Sequence, residues 1–284
     1  MIIAEQVADV RRAVRDARRR DTTIGCVPTM GALHAGHESL IEACRAECNF
    51  TAVTIFVNPT QFGPGEDFDR YPRPLEEDLA RCRRAGVDLV FVPAVELLYP
   101  AAFSTYVDVE PLSRVLEGAS RPGHFRGVAT VVLKLLNIVE PDRAYFGRKD
   151  FQQQLLVRKM CRELDLAVEI RTCPTVREPD GLALSSRNRY LNPGERQTAL
   201  ALYRSLQLAQ GRLQDGERDA PAIASDMRQF LETAGARPDY AIIADPESLD
   251  ELTAPRQNMV ALVAARVGRT RLIDNLPITL ESRA

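Results

Sequence analysis

Residues 24–57 read IGCVPTMGALHAGHESLIEACRAECNFTAVTIFV, and the change of texture within this stretch decides the fold. Residues 24–27 are a short apolar run that stops at Pro28. Residues 36–48 repeat at helical spacing, with Leu40, Ile41 and Cys44 as the inner stripe. Residues 51–57 are a β-branched run closed by Asn58-Pro59. A strand, a helix and a second strand in this order form a β-α-β unit, which demands a parallel pair.

Working outward, the alternation continues. The pattern predicts helices over 75–85, 127–139 and 151–164, and strands over 88–92, 143–146 and 167–172. Upstream, Val7, Val10 and Val14 predict an amphipathic helix whose basic end, Arg18 to Arg20, reads as a solvated terminus rather than a membrane patch. The expected class is α/β: a Rossmann-like parallel sheet with helices on both faces. Such sheets bind ligands beyond the carboxyl ends of their strands, so the segments after Val27, Val57, Phe146 and Thr172 are the places to search. The texture changes near Val176. Longer helices are predicted over 193–213 and 220–234, then strands over 240–244, 260–265 and 271–274. The expected organisation is a nucleotide-binding domain over 1–176 and a smaller α+β C-terminal domain over 177–284.

The bulk chemistry excludes several classes. Lys and Arg number 37 against 39 Asp and Glu, so no basic field exists to hold nucleic acid. The N-terminal stretch lacks the long apolar core of a secretory signal, and no run is apolar enough to cross a bilayer. The six cysteines form no C-x-x-C pair and read as reduced thiols, so a cytoplasmic location is expected. Cys44 and Cys48 share a helical face but lack a second metal-binding pair.

The strongest chemical signal is PTMGALHAGH at 28–37, running from a predicted strand into a predicted helix. Gly31 and Gly36 permit close backbone approach. The helix start is expected to offer unpaired N–H groups and a positive dipole end, which suits phosphate. His34 and His37 lie three residues apart, and only His124 occurs elsewhere. From spacing alone the pair could bind phosphate, cap the helix or hold a metal; a zinc site would need a third ligand that is not evident.

The H-x-G-H turn resembles the HIGH signature of class I aminoacyl-tRNA synthetases and related nucleotidylyl transferases. The whole string is similar to that of the pantothenate synthetase (pantoate–β-alanine ligase) family. So are IFVNPTQF (55–62), YPR (71–73), HFRGVATVV (124–132), FGRKDFQQ (146–153) and DGLALSSRNRYL (180–191), in the family's order. DYAIIADPESL (239–249) and GRTRLIDN (268–275) resemble its C-terminal domain, so the resemblance spans essentially the whole chain.

The resemblance implies ATP-dependent condensation of pantoate with β-alanine through pantoyl adenylate, with release of pyrophosphate and AMP. It implies ATP contacts from Pro28, Thr29, Met30, Gly31, His34, His37, Gly147, Lys149, Asp150, Val176, Leu184, Ser185, Ser186 and Arg187. Of these, His34, His37, Lys149, Ser185, Ser186 and Arg187 would carry catalysis, since ammonium, guanidinium and hydroxyl groups suit a phosphate chain. Met30, Asn58, Gln61, Phe62, Val132 and Gln153 would line the pantoate and β-alanine pocket; uncharged amides suit a ligand with two hydroxyls and a carboxylate. Glu77 and Asp78 would lie near Mg²⁺ on the ATP phosphates, although an acidic first helical turn explains them equally well. His124 either supports the pocket or packs. The 185–187 loop and the C-terminal domain are candidates for closing the site, and a homodimer is implied. Two alternatives stay open: a transferase that leaves the nucleotide on its product, and a non-catalytic nucleotide-binding regulator.

Overall fold

The computed structural model describes residues 1–281, which divide into two compact units. The first comprises Met1–Arg148 and Gln152–Pro174; the second comprises Lys149–Phe151 and Thr175 onward.

In the first unit the chain runs β1 (Ile2–Ala4), α1 (Val7–Arg18), β2 (Ile24–Thr29), α2 (Ala35–Glu47), β3 (Phe50–Ile55), α3 (Leu75–Arg84), β4 (Leu89–Phe91), the short α4 (Val95–Leu98) and α5 (Glu117–Ser120), α6 (His124–Val139), β5 (Arg143–Gly147), α7 (Phe151–Glu163) and β6 (Glu169–Cys173). The six strands pair in parallel in the order β1-β4-β3-β2-β5-β6. One face is covered by α2 and α3, whose Leu40, Ile41, Cys44, Leu79 and Cys82 pack with Val27, Val53 and Val90. The other carries α1 and α6. Every residue of β3 is buried, as a parallel sheet covered on both faces requires.

From β2 the chain builds outward through β3 and β4, then crosses back to β5 and β6 on the other side. The order therefore reverses between β2 and β5, and the crevice beyond their carboxyl ends is a topological switch point. The 30–37 loop follows β2, and Gly147 ends β5.

Two boundaries depart from expectation for physical reasons. β2 does not stop at Pro28: it continues to Thr29, with Pro28 opposite Thr54 of β3. The pairing of β2 with β5 covers only Gly25 and Cys26, so the missing N–H of Pro28 breaks no ladder bond on that side. α6 begins at His124, not at residue 127, after Gly123 in a left-handed conformation. Gly127 is thus inside a helix. A Cβ there would sit 2.3 Å from the carbonyl oxygen of Thr60, so the glycine marks close backbone approach rather than a helix break.

The second unit holds α8 (Pro193–Gln214), α9 (Ala220–Thr233) and an antiparallel sheet of β7 (Arg237–Ala244), β8 (Asn258–Val267) and β9 (Thr270–Thr279). α8 starts at a reciprocal cap between Asn192 and Glu195 with Pro193 in its first turn. Leu202, Leu206, Ile223, Met227 and Leu231 pack on Val263, Ala265 and Val267. β9 extends past the expected end at 274 through Pro277, which an edge strand tolerates. No described helix is long and apolar enough to cross a membrane.

Candidate active site

The loop after β2 is built by side chains that accept its backbone amides. Gly31 (φ +77°) and Ala32 (φ +49°) both lie in the left-handed region. The Gly31 N–H donates to Thr29 Oγ1 at 3.1 Å, and the Thr29 hydroxyl donates to the Thr54 carbonyl at 2.7 Å. The next two amides converge on one carboxylate: Ala32 donates to Asp78 Oδ2 at 2.8 Å and Leu33 to Asp78 Oδ1 at 2.7 Å. The His34 N–H donates to His37 Nδ1 at 3.3 Å, and the Gly36 N–H to His34 Nδ1 at 3.1 Å. The His37 N–H donates to the His34 carbonyl at 2.8 Å. The two histidines are therefore a reciprocal cap for α2.

The amides at the start of α2 do not form the unpaired nest expected from the sequence, because Gly36 and His37 already have acceptors within the turn. The same bonds assign a tautomer. A ring whose Nδ1 accepts from an amide carries its proton on Nε2 when neutral. Both neutral rings thus carry their proton on Nε2, with ring centroids 4.1 Å apart. Capping and anion binding are compatible, one on each ring nitrogen.

Asp78 is almost fully buried, at 1% exposure, on the inner side of α3. Burial pushes its carboxyl above the usual carboxylate range, while the Leu33 and Ala32 amides and the Arg81 charge pull the other way. Glu77 faces solvent. The guanidinium of Arg81 pairs with Glu38 at 2.7 Å and lies near enough to act on Asp78. These groups do not fit a two-carboxylate ion site: one carboxylate is committed to two amides, the other points elsewhere, and a cation stands close by. Among the described residues no three His, Cys, Asp or Glu side chains cluster as metal ligands. Cys44 and Cys48 instead contact Thr51 and Tyr145.

Beyond β3, a 3₁₀ turn at Pro59–Gln61 carries the amides expected to meet pantoate. Asn58 is 1% exposed; its Nδ2 donates to Gln61 Oε1 and to the Gly127 carbonyl, each at 3.1 Å. Its Oδ1 accepts from the Thr60 hydroxyl at 2.9 Å. Gln61 Nε2 reaches Met30 Sδ at 2.9 Å, which brings the β2 and β3 loops together. Phe62 meets Phe68 and Tyr71 edge-on, with Tyr71 buried. Val132 is buried on α6. Of three consecutive glutamines on α7, Gln152 bonds the Leu112 and Val115 carbonyls and Gln154 accepts from Thr172. Gln153 is the one at partial exposure.

A group of residues not anticipated as a set holds the Gln61 turn from outside. His124 Nδ1–H donates to the Gln61 carbonyl at 2.8 Å, and the Arg121 guanidinium donates to His124 Nε2 at 3.1 Å. Arg121 also bonds the Gln61 carbonyl and makes a two-point contact with Glu66. Burial and the Arg121 charge push the His124 pKa down to about 4. Burial alone would raise Glu66, but the Arg121 bond and charge outweigh it and hold its carboxyl below the ordinary range. His124 therefore braces the Gln61 turn as a neutral ring. Arg121 and Glu66 lie 55 residues apart, so no sequence pattern announces their pairing.

The first unit also contributes Gly147, which has open space where a Cβ would project. In the second unit, Lys149 lies 3.9 Å from Asp150, and the Lys149 carbonyl accepts from Asn275 Nδ2 at 2.9 Å. Residues 176–184 form a small hairpin: Leu184 donates to the Val176 carbonyl and Glu178 to the Leu182 carbonyl. Arg177 anchors it through a paired contact with the buried Asp274 and lies over the Tyr203 ring at 3.8 Å. Ser185 caps the following 3₁₀ turn, Ser186–Tyr190, by accepting from the Arg187 N–H at 3.3 Å. Asn188 ties the turn to Glu178 and to the Ala183 carbonyl.

Comparison with known proteins gives a consistent result. The family model for pantoate-beta-alanine ligase matches residues 2–277. The chain is 53% identical to a pantothenate synthetase of Moorella thermoacetica, over 97% of this chain and 98% of that one. It is 51% identical to one from Thermosipho africanus, over 98% and 100%. Among solved structures it is similar to pantothenate synthetase from Thermus thermophilus, with TM-score 0.92 and 48% identity over 97% and 99% of the two chains. It is also similar to pantoate-beta-alanine ligase from Francisella tularensis, with TM-score 0.81 and 35% identity over 97% of each chain; that enzyme was solved with beta-gamma ATP and beta-alanine.

Proposed function

This chain belongs to the pantoate-beta-alanine ligase family, and from that premise we propose how its residues carry out the ATP-dependent condensation of pantoate with β-alanine. The pantoate carboxylate attacks the α-phosphorus of ATP and pyrophosphate leaves. The β-alanine amine, as the free base, attacks the activated acyl carbon, and AMP leaves with the bonding electrons of the acyl–oxygen bond. The acid supplies its own nucleophile, so positioning and charge stabilisation are the protein's tasks.

The observation that carries the reading is the state of the two imidazoles. With Nδ1 of each ring capping α2, the Nε2–H donors of His34 and His37 are preorganised before substrate arrives. Donors fixed in advance stabilise developing phosphate charge without reorganisation. Gly147, at the end of β5, leaves room for a ribose. We assign Gln61, Asn58, Met30, Phe62, Val132 and Gln153 to pantoate and β-alanine; the buried amides supply directional bonds and the apolar groups cover the gem-dimethyl carbon. Lys149, Ser185, Ser186 and Arg187 are assigned to the phosphates, and Asp150 to the ribose hydroxyls. Magnesium would accompany ATP and would supply charge neutralisation on its phosphates. A homodimer in the cytoplasm remains part of this reading.

The test is AMP formation by purified protein with ATP, pantoate and β-alanine, leaving out each in turn. AMP should require all three, while label exchange between pyrophosphate and ATP should need pantoate but not β-alanine. A product that retains the nucleotide would overturn the assignment.

A further inference from the structure

We propose that Asp78 is the positioning residue that sets the two-histidine turn, acting through the backbone rather than through a metal ion; the inference deepens the reading above and rests on it. Three observations meet at this carboxylate. Its two oxygens accept from consecutive amides, Ala32 at 2.8 Å and Leu33 at 2.7 Å. Those amides belong to a stretch whose backbone is held at positive φ at Gly31 and Ala32, a conformation that Ala32 adopts at a cost. And the carboxylate is buried against the loop: a Cβ on Gly31 would lie 2.8 Å from Asp78 Oδ2.

A backbone in the left-handed region at a non-glycine residue persists only where its surroundings over-determine it. Two charge-assisted bonds from adjacent amides to one carboxylate supply that restraint. The next amide along is that of His34, which donates to His37 Nδ1. The direction of the chain at Leu33 thus fixes the His34 N–H, and with it the ring nitrogen that must accept. Asp78 orients the Nε2–H donors of both imidazoles without touching substrate. As a magnesium ligand it would have to serve the ion with oxygens already bonded to amides, next to the charge of Arg81.

The two roles separate in Asp78→Asn. An asparagine oxygen can accept from one amide, but its Nδ2 presents a donor to the other. Pyrophosphate exchange should fall by roughly ten- to a hundredfold in kcat, as expected for displaced catalytic donors, while the Mg²⁺ concentration at half-maximal rate stays within about twofold. Ala32→Gly in the Asp78→Asn background, which removes the φ strain, should recover about fivefold. Because the chain has three histidines, long-range ¹H–¹⁵N spectra can assign each ring. In the wild type His34 and His37 should show Nε2–H and His124 Nδ1–H; in Asp78→Asn only the first two should become tautomer-averaged.

A raised Mg²⁺ requirement with unchanged histidine spectra would overturn the proposal, as would absence of rescue by Ala32→Gly. If Asp78→Asn does not fold, amide exchange in the wild type decides: the Ala32 and Leu33 amides should be protected and indifferent to Mg²⁺ without ATP, and a Mg²⁺-induced shift at either would refute the backbone role. Wild-type protein without pyrophosphate exchange would sink the ligase reading, while the histidine spectra would still test Asp78.

Discussion

Gly127→Ala is the sharpest test of how the Gln61 turn, assigned above to pantoate, is built. The new Cβ would lie 2.3 Å from the Thr60 carbonyl oxygen, 2.5 Å from its carbon and 2.7 Å from the Gln61 nitrogen. Ordinary carbon–oxygen contact is about 3.3 Å, so one side must retreat by about 1 Å. α6 cannot easily do so, since Phe125, Val128, Ala129, Val131 and Val132 are all buried around it. The 3₁₀ turn must move instead, and with it Gln61, whose amide is tied to Asn58 and Met30. Overpacking of this kind costs about 1–3 kcal/mol, which in a chain of this size lowers Tm by roughly 2–5 °C. A displacement of about 1 Å at a substrate-positioning group can cost on the order of a hundredfold in rate. We therefore expect kcat/KM for pantoate, measured by pyrophosphate exchange, to fall by about thirty- to a hundredfold. ATP affinity, measured by equilibrium binding without pantoate, should change by less than about threefold, because the 30–37 turn has its own supports. Normal pantoate kinetics with an unchanged Tm would show that the turn is not braced by α6. A loss confined to ATP would show that Gln61 serves the nucleotide.

Two further outcomes are expected. The His124 pKa falls from its ordinary 6.5 to about 4 in the folded protein, so the fold favours the neutral ring; the associated stability is complete above pH 6.5 and is lost as pH falls towards 4. Allowing for partial solvent contact, it amounts to about 2 kcal/mol. Urea titrations of wild type and His124→Gln should therefore show a stability gap that narrows by about that amount between pH 7 and pH 4.5; a gap independent of pH would refute the neutral-ring role. His34→Ala and Lys149→Ala should each slow adenylate formation by roughly a hundredfold, or about 3 kcal/mol, with circular dichroism unchanged. Near-normal pyrophosphate release by either variant would remove that residue from the chemistry.

Much of the first unit is legible in the sequence because its signals are local. The parallel sheet follows from apolar runs separated by helical spacing, and Leu40, Ile41 and Cys44 do form the buried stripe of α2. Sequence and structure part where a neighbour overrides a local rule. Pro28 continues β2 because the adjoining strand has ended its pairing, and Gly127 sits within α6 because the Thr60 backbone presses against it. The edge strand β1 is three residues long, too short for any period to show. At the site, spacing singles out the two histidines but does not choose their cap or their tautomer. Asp78 and Glu77 read as one acidic pair in the sequence, although adjacent helical positions face different surroundings.

The amino-acid order by itself determined the class of fold, the strand ends at which to search for a site, and the family to which the motifs point. Those properties depend on periodicity and on side chains adjacent in the chain. Only the tertiary structure decided what Asp78 holds, which nitrogen of each histidine carries the proton, and that Arg121, Glu66 and His124 brace the Gln61 turn. A hydrogen bond is set by distance and direction within a few tenths of an ångström. Partners 45 to 63 residues apart acquire that geometry only after the chain has folded.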